Sequence, residues 1–92
     1  MNVELIYMVR TSGAYQAGRF SAVISGFDAF CRAVKRNWKV VKPRLTEACG
    51  DEVLEVVTLD VAYDGEVECL VDNETCRENA KISTHHRNMY KE

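Results

Sequence analysis

Apolar residues alternate through Val3, Leu5, Tyr7 and Val9, with Ile6 and Met8 between them. Both faces of this segment are apolar at the centre, which predicts a strand from Val3 to Arg10 in the middle of a sheet and covered on both sides. Thr11-Ser12-Gly13 through Gly18 is small and flexible at both ends and reads as a loop. Beyond it, Phe20, Val23, Ile24, Phe27, Phe30, Cys31, Val34, Trp38 and Val41 fit helical spacing throughout. Ser25-Gly26 interrupts that run, and a glycine inside a helix costs about 1 kcal/mol. Ser25 also has Asp28 three residues on, the spacing of a capping box. The preferred reading is a strand over 19–25 followed by a helix from near Gly26. The alternative makes residues 20–25 helical.

The helix carries an apolar stripe of Phe27, Phe30, Cys31, Val34, Trp38 and Val41. Arg32, Lys35, Arg36 and Lys39 form a second, basic stripe at i, i+3, i+4 and i+7. Pro43 disfavours helical geometry at Lys42 and ends the helix there. A short second helix over 43–49 is expected, with Pro43 at its first position and Gly50 past its end.

Residues 52–72 predict a β-hairpin with two registers to choose from. A two-residue turn at Asp64-Gly65 sets Val61 against Glu68 and Asp60 against Cys69. A three-residue turn, Tyr63-Asp64-Gly65, sets Val61 against Val67, Leu59 against Cys69 and Val57 against Val71, with Asp60 and Glu68 together on the other side. The second separates apolar from polar better. Because a one-residue slip inverts every side chain, the three-residue turn is expected. It gathers Asp60, Glu66, Glu68 and Asp72 into one acidic face, where like charges repel unless something basic lies against them.

The resulting fold class is α+β: a small antiparallel sheet, in ββαββ order or alternatively βαββ, with one main amphipathic helix packed on one face. The 92 residues make one domain, with a polar C-terminal segment over 73–92. Within that segment a short helix near Glu74–Lys81, a brief strand around Ile82, and Met89 and Tyr90 as anchors are the elements to look for, against fraying. No repeat or linker stands out.

Composition is that of a globular protein, with 47% hydrophobic and 28% charged residues, rather than that of a disordered chain. The net charge of −2 hides a strong asymmetry. Residues 1–46 hold eight Lys/Arg against two Asp/Glu, residues 47–80 one against eleven, and residues 81–92 three against one. Such sorting points to interaction surfaces rather than to a fold. No apolar run approaches the roughly 20 residues that span a membrane, and no signal-peptide pattern opens the chain, so the expected setting is cytoplasmic. Four cysteines, Cys31, Cys49, Cys69 and Cys76, are therefore expected as free thiols, and the sequon at Asn73 as chance.

Candidate chemistry is sparse. The four cysteines with His85 and His86 lack the close pairs of a structural zinc site, and Cys31 and Cys69 fall at expected core positions, so no metal is expected. Cys76 with His85 or His86 is the one conceivable nucleophile–base pair, and the glycines at 13 and 18 lack the Lys-Ser/Thr of a phosphate loop. No catalytic residues and no cofactor are assigned. The basic stripe could serve phosphate contact, extended by Lys42, Arg44 and Arg19, although no nucleic-acid-binding motif is present and the chain is not basic overall. The expected function is a non-enzymatic protein-binding module, such as an inhibitor or adaptor, acting through opposed acidic and basic surfaces. Nucleic-acid binding through the basic helix face is a second reading. Self-association as a structural or accessory homo-oligomer, by charge or by sheet edges, is a third. Accessory proteins of viruses and mobile elements have this profile, as do many host proteins.

Overall fold

The computed structural model describes residues 1–73. Strand β1 (Asn2–Thr11) turns Val3, Leu5, Tyr7, Val9 and Thr11 inward, as its alternation predicts. It lies in the middle of a four-stranded antiparallel sheet with β2 (Tyr15–Val23), β3 (Val53–Tyr63) and β4 (Glu66–Asp72), in the order β2-β1-β3-β4. Helices α1 (Phe27–Arg36) and α2 (Lys42–Cys49) connect β2 to β3, with a 3-10 turn at Trp38–Val40 between them. The fold is thus α+β.

Both helices pack on one side of the sheet. Cys31, Val34, Val41 and Leu45 meet Leu5, Val9, Val53, Leu59 and Val61 in a single core. Ile6 and Met8 point to the opposite side, so among the described residues β1 is covered on one face.

Two boundaries, the start of β2 and the end of α1, differ from expectation for physical reasons, whereas the break between strand and helix at Gly26 follows the preferred reading. The loop after β1 is only Ser12–Ala14, closed by the Thr11 amide and hydroxyl, both donating to the Ala14 carbonyl at 3.0 and 3.2 Å. Strand β2 therefore begins at Tyr15, and Gly18 is a strand residue directly opposite Tyr7. A glycine there lets the Tyr7 ring lie over the neighbouring backbone. Residues 20–23 are strand, and α1 starts at Phe27, after Gly26 in a left-handed conformation (φ 62). No side chain caps α1, so the Ser25–Asp28 capping box does not form.

The main helix stops at Arg36, five residues before Val41. Asn37 is extended, and its side-chain oxygen accepts the Lys39 amide at 3.1 Å, starting the 3-10 turn. Asparagine competes with helical backbone through such local bonds. Helix α2 fits its prediction, with proline in its first turn and the Gly50 amide donating to Thr46 at the end.

The hairpin takes the two-residue turn rather than the expected three-residue one. Asp64 (φ 46) and Gly65 (φ 79) are both left-handed, the pattern whose twist matches the flanking strands. Tyr63 pairs with Glu66, Ala62 with Val67, Val61 with Glu68 and Asp60 with Cys69. A bulge then skips Leu70, and Leu59 pairs with Val71. Polarity matching favours the three-residue turn only along an unbroken ladder. The bulge repairs the polarity conflict by turning Leu70 into the core at 5% exposure. Cys69, expected inside, is exposed.

Candidate functional site

The register decides where the acids stand. Glu66 and Glu68 share the helix side of the sheet with Tyr63 and Val61, whereas Asp60 and Asp72 lie on the uncovered side, opposite Ile6 and Thr58. The expected single acidic face of Asp60, Glu66, Glu68 and Asp72 is therefore divided between two surfaces.

Helix α1 runs along β4. Its first residue, Phe27, sets its ring edge-on to Tyr63 at 4.7 Å, beside the hairpin turn. Its C-terminal end reaches the far half of the strand. There Val34, Lys35, Arg36 and Trp38 line a groove of about 440 Å³ with Leu70, Val71 and Asp72. Between the two ends the Lys35 ammonium donates to Glu68 Oε1 at 2.7 Å. The side chains of this pair are 49% and 37% exposed, so solvent screens it and its contribution to stability is small. Its value is positional, because it ties the basic helix to the acidic strand. The hydrogen bond to Glu68, and then its charge, raise the Lys35 pKa.

Cys31 lies beneath this pair. Burial pushes its thiol up first, and Glu68 and Asp28 add to the rise while Lys35 and Arg32 oppose it. A buried thiol held protonated is a packing group, not an activated nucleophile. The Tyr63 hydroxyl is likewise raised, by desolvation first and then by Glu66 and Glu68. The third titrating core group, Tyr7, is pushed up to about 12 by burial and by its hydrogen bond with Cys49.

Arg32, Lys35 and Arg36 are exposed on α1, and Lys39 is exposed on the 3-10 turn beyond the break. The four do not make the continuous stripe that an unbroken helix would. Among the described residues, Lys35 is the member with an ion-pair partner. The expected extensions go elsewhere. Arg19 pairs with Glu4 at 3.0 Å on the uncovered face, Lys42 lies 5.9 Å over the Trp38 ring, and Arg44 lies 6.0 Å over the Phe30 ring. Trp38, expected on the apolar stripe, is part-buried against the core and also lines the groove.

No group of three or more His, Cys, Asp or Glu is placed to hold a metal among the described residues. Cys76, His85 and His86, with the elements expected over 74–92, lie outside them. No described helix is long and apolar enough to cross a membrane. Comparison of the chain with family models, curated proteins and solved structures finds no match.

The uncovered sheet side is the other notable surface. Ile6 and Met8 are half-buried there, and Val67, two strands away on β4, is 66% exposed. One polar face is usual for an antiparallel sheet, so this surface says less than the α1–β4 face, where charge of both signs and a groove coincide.

Proposed function

We propose that this chain is a non-catalytic protein-binding module that engages its partner along the face that α1 shares with β4, the outermost strand of the described sheet. The observation that supports this reading most is the meeting of Lys35 with Glu68, which sets cations and anions side by side along an edge strand with the Val34–Trp38 groove next to it. A partner segment would seat its side chains in that groove while its own charges meet those of α1 and β4. An inhibitor or an adaptor of a larger assembly would work by such a contact.

A protein partner suits the surface better than nucleic acid does. Glu66, Glu68 and Asp28 stand among Arg32, Lys35 and Arg36, and those carboxylates would repel a phosphate backbone. A mixed-charge edge instead matches the polar rim of a protein interface.

The test is comparative capture from host lysate treated with nuclease. Proteins retained by the wild-type chain should be lost with Glu66→Lys/Arg36→Glu and kept with Glu47→Lys, an exposed change on α2. Equal capture by all three forms would contradict the reading. Capture abolished by nuclease would favour the nucleic-acid alternative.

A further inference from the structure

Residues 29–46 hold six of the chain's 12 Lys and Arg and no Asp or Glu, in a chain of net charge −2. They span most of α1, the 3-10 turn and the start of α2, so this charge stands on the helical layer. Lys35 is taken up by Glu68, and Lys42 and Arg44 lie over the Trp38 and Phe30 rings. Arg32, Arg36 and Lys39 are exposed and have no ion-pair partner among the described residues. Arg32 and Arg36 are four apart on α1, neighbours on the side of the helix away from the buried Cys31 and Val34. Like charges at that spacing destabilise a helix, and a face built only to be solvated mixes the two signs. The helix dipole favours Lys35 and Arg36 in the last turn but does nothing for Arg32 a turn earlier. Acids border the cations instead of alternating with them. Asp28 precedes them on α1, and Glu66, Glu68 and Asp72 stand along β4.

We propose that the partner presents an acidic segment of protein chain whose carboxylates seat on Arg32 and Arg36, with Lys39 beyond them. The inference rests on the reading of α1 as part of the binding face and names the chemistry of what binds there. Arginine's planar fork takes a carboxylate through two parallel hydrogen bonds. The two arginine positions are about 6 Å apart along the helix axis, at 1.5 Å per residue. Two acids four apart in a helix match that spacing, and so do two acids two apart in an extended segment, at about 6.8 Å. Val40, which is 49% exposed, and the part-buried Trp38 give apolar residues of such a segment a surface to rest on. The bordering acids tell against the other polyanions. A nucleic-acid strand or an anionic membrane spreads its charge over a wide front and would meet Asp28, Glu66, Glu68 and Asp72 together with the cations. A single acidic segment follows α1 and leaves those four carboxylates to the partner's flanking residues.

Fluorescence anisotropy on the full chain tests the proposal, with a labelled peptide of about 12 residues alternating glutamate and valine as the probe. A peptide alternating lysine and valine is its counterpart. At about 0.05 M salt the wild type should bind the glutamate peptide and not the lysine one, with affinity falling on the order of tenfold or more at about 0.5 M salt. Arg32→Gln should weaken binding, whereas Arg19→Gln, the same loss of charge on the other side of the sheet, should leave it unchanged. Arg32→Glu/Arg36→Glu should lose the glutamate peptide and gain the lysine peptide. Arg32→Glu alone puts a carboxylate one turn before Arg36, the favourable order on a helix, so it should bind the glutamate peptide less while unfolding at an equal or higher urea midpoint. Binding lost together with a lowered midpoint would assign Arg32 to structure and overturn the proposal. A glutamate peptide left unbound at about 1 mM overturns it as well, as does binding that survives Arg32→Glu/Arg36→Glu. Tighter binding of a single-stranded oligonucleotide or of phosphatidylserine vesicles than of the peptide would put another polyanion in its place. Lysate capture lost with Glu66→Lys/Arg36→Glu while the peptide stays unbound would remove the acidic segment and leave the α1–β4 reading intact. Capture indifferent to those changes, with the peptide unbound, would remove both.

Discussion

Leu59→Ala is expected to destabilise the protein by about 2–5 kcal/mol, the range for deleting a fully buried leucine and leaving a cavity. Leu59 is 0% exposed and stands between Tyr7 of β1 and Val71 of β4. Its position makes the cost high within that range. The ladder is irregular on both of its flanks, with Val57 skipped against β1 and Leu70 skipped against β4. Leu59 is therefore the side chain that holds the edge strand to the sheet where backbone pairing is interrupted. Small domains have only about 5–15 kcal/mol of stability in all, so the variant should unfold at a much lower urea midpoint with an unchanged slope. A loss below about 1 kcal/mol would mean that this position does not carry the core.

Gly18→Val is expected to cost about 1–3 kcal/mol, although valine is the better strand former. A β-carbon at Gly18 would lie 2.5 Å from the Tyr7 hydroxyl oxygen and 2.8 Å from its ring carbon Cζ. The ring has little room to retreat. It is 9% exposed and packs against Phe20 at 6.1 Å between centroids. The hydroxyl also carries the hydrogen bond with Cys49. Removing the nearest atom should relieve the clash, so Tyr7→Phe combined with Gly18→Ala should cost less than the sum of the two single changes. Urea titration of the four proteins measures this. A stabilised Gly18→Val variant would show that propensity wins and that the ring lies elsewhere.

These two positions mark the limits of reading the chain from its sequence. Period-two alternation in Val3–Val9 was legible because one face of β1 is buried, and that alternation directly reports the core. Gly18 reads as loop punctuation because glycine signals flexibility locally, while its actual role is set by Tyr7, eleven residues away across a hairpin. Asn37 does not stand out as a helix end because the apolar spacing continues through Trp38 and Val41. The chain meets that spacing with a helix, a 3-10 turn and a second helix instead of one helix.

The hairpin register was the costliest miss for function. Polarity matching along an unbroken ladder favoured the three-residue turn, and a bulge at Leu70 removed that premise. Asp64-Gly65 was the stronger signal, because two left-handed residues in sequence suit a two-residue turn. The charge asymmetry between the two halves was visible in composition alone. That its halves meet at Lys35 and Glu68 was not, since the meeting depends on α1 running along the same edge strand. Surfaces expected to stand opposite each other are in fact neighbours.

Cross-strand proton contacts in the 62–67 region, read by nuclear Overhauser spectroscopy on the labelled chain, test the arrangement on which the rest depends. Ala62 should pair with Val67 and Val61 with Glu68, with the Glu68 side chain close to Lys35. Contacts joining Val61 to Val67 and Asp60 to Glu68 would turn Glu68 away from α1, separate the acids from the bases, and contradict the account.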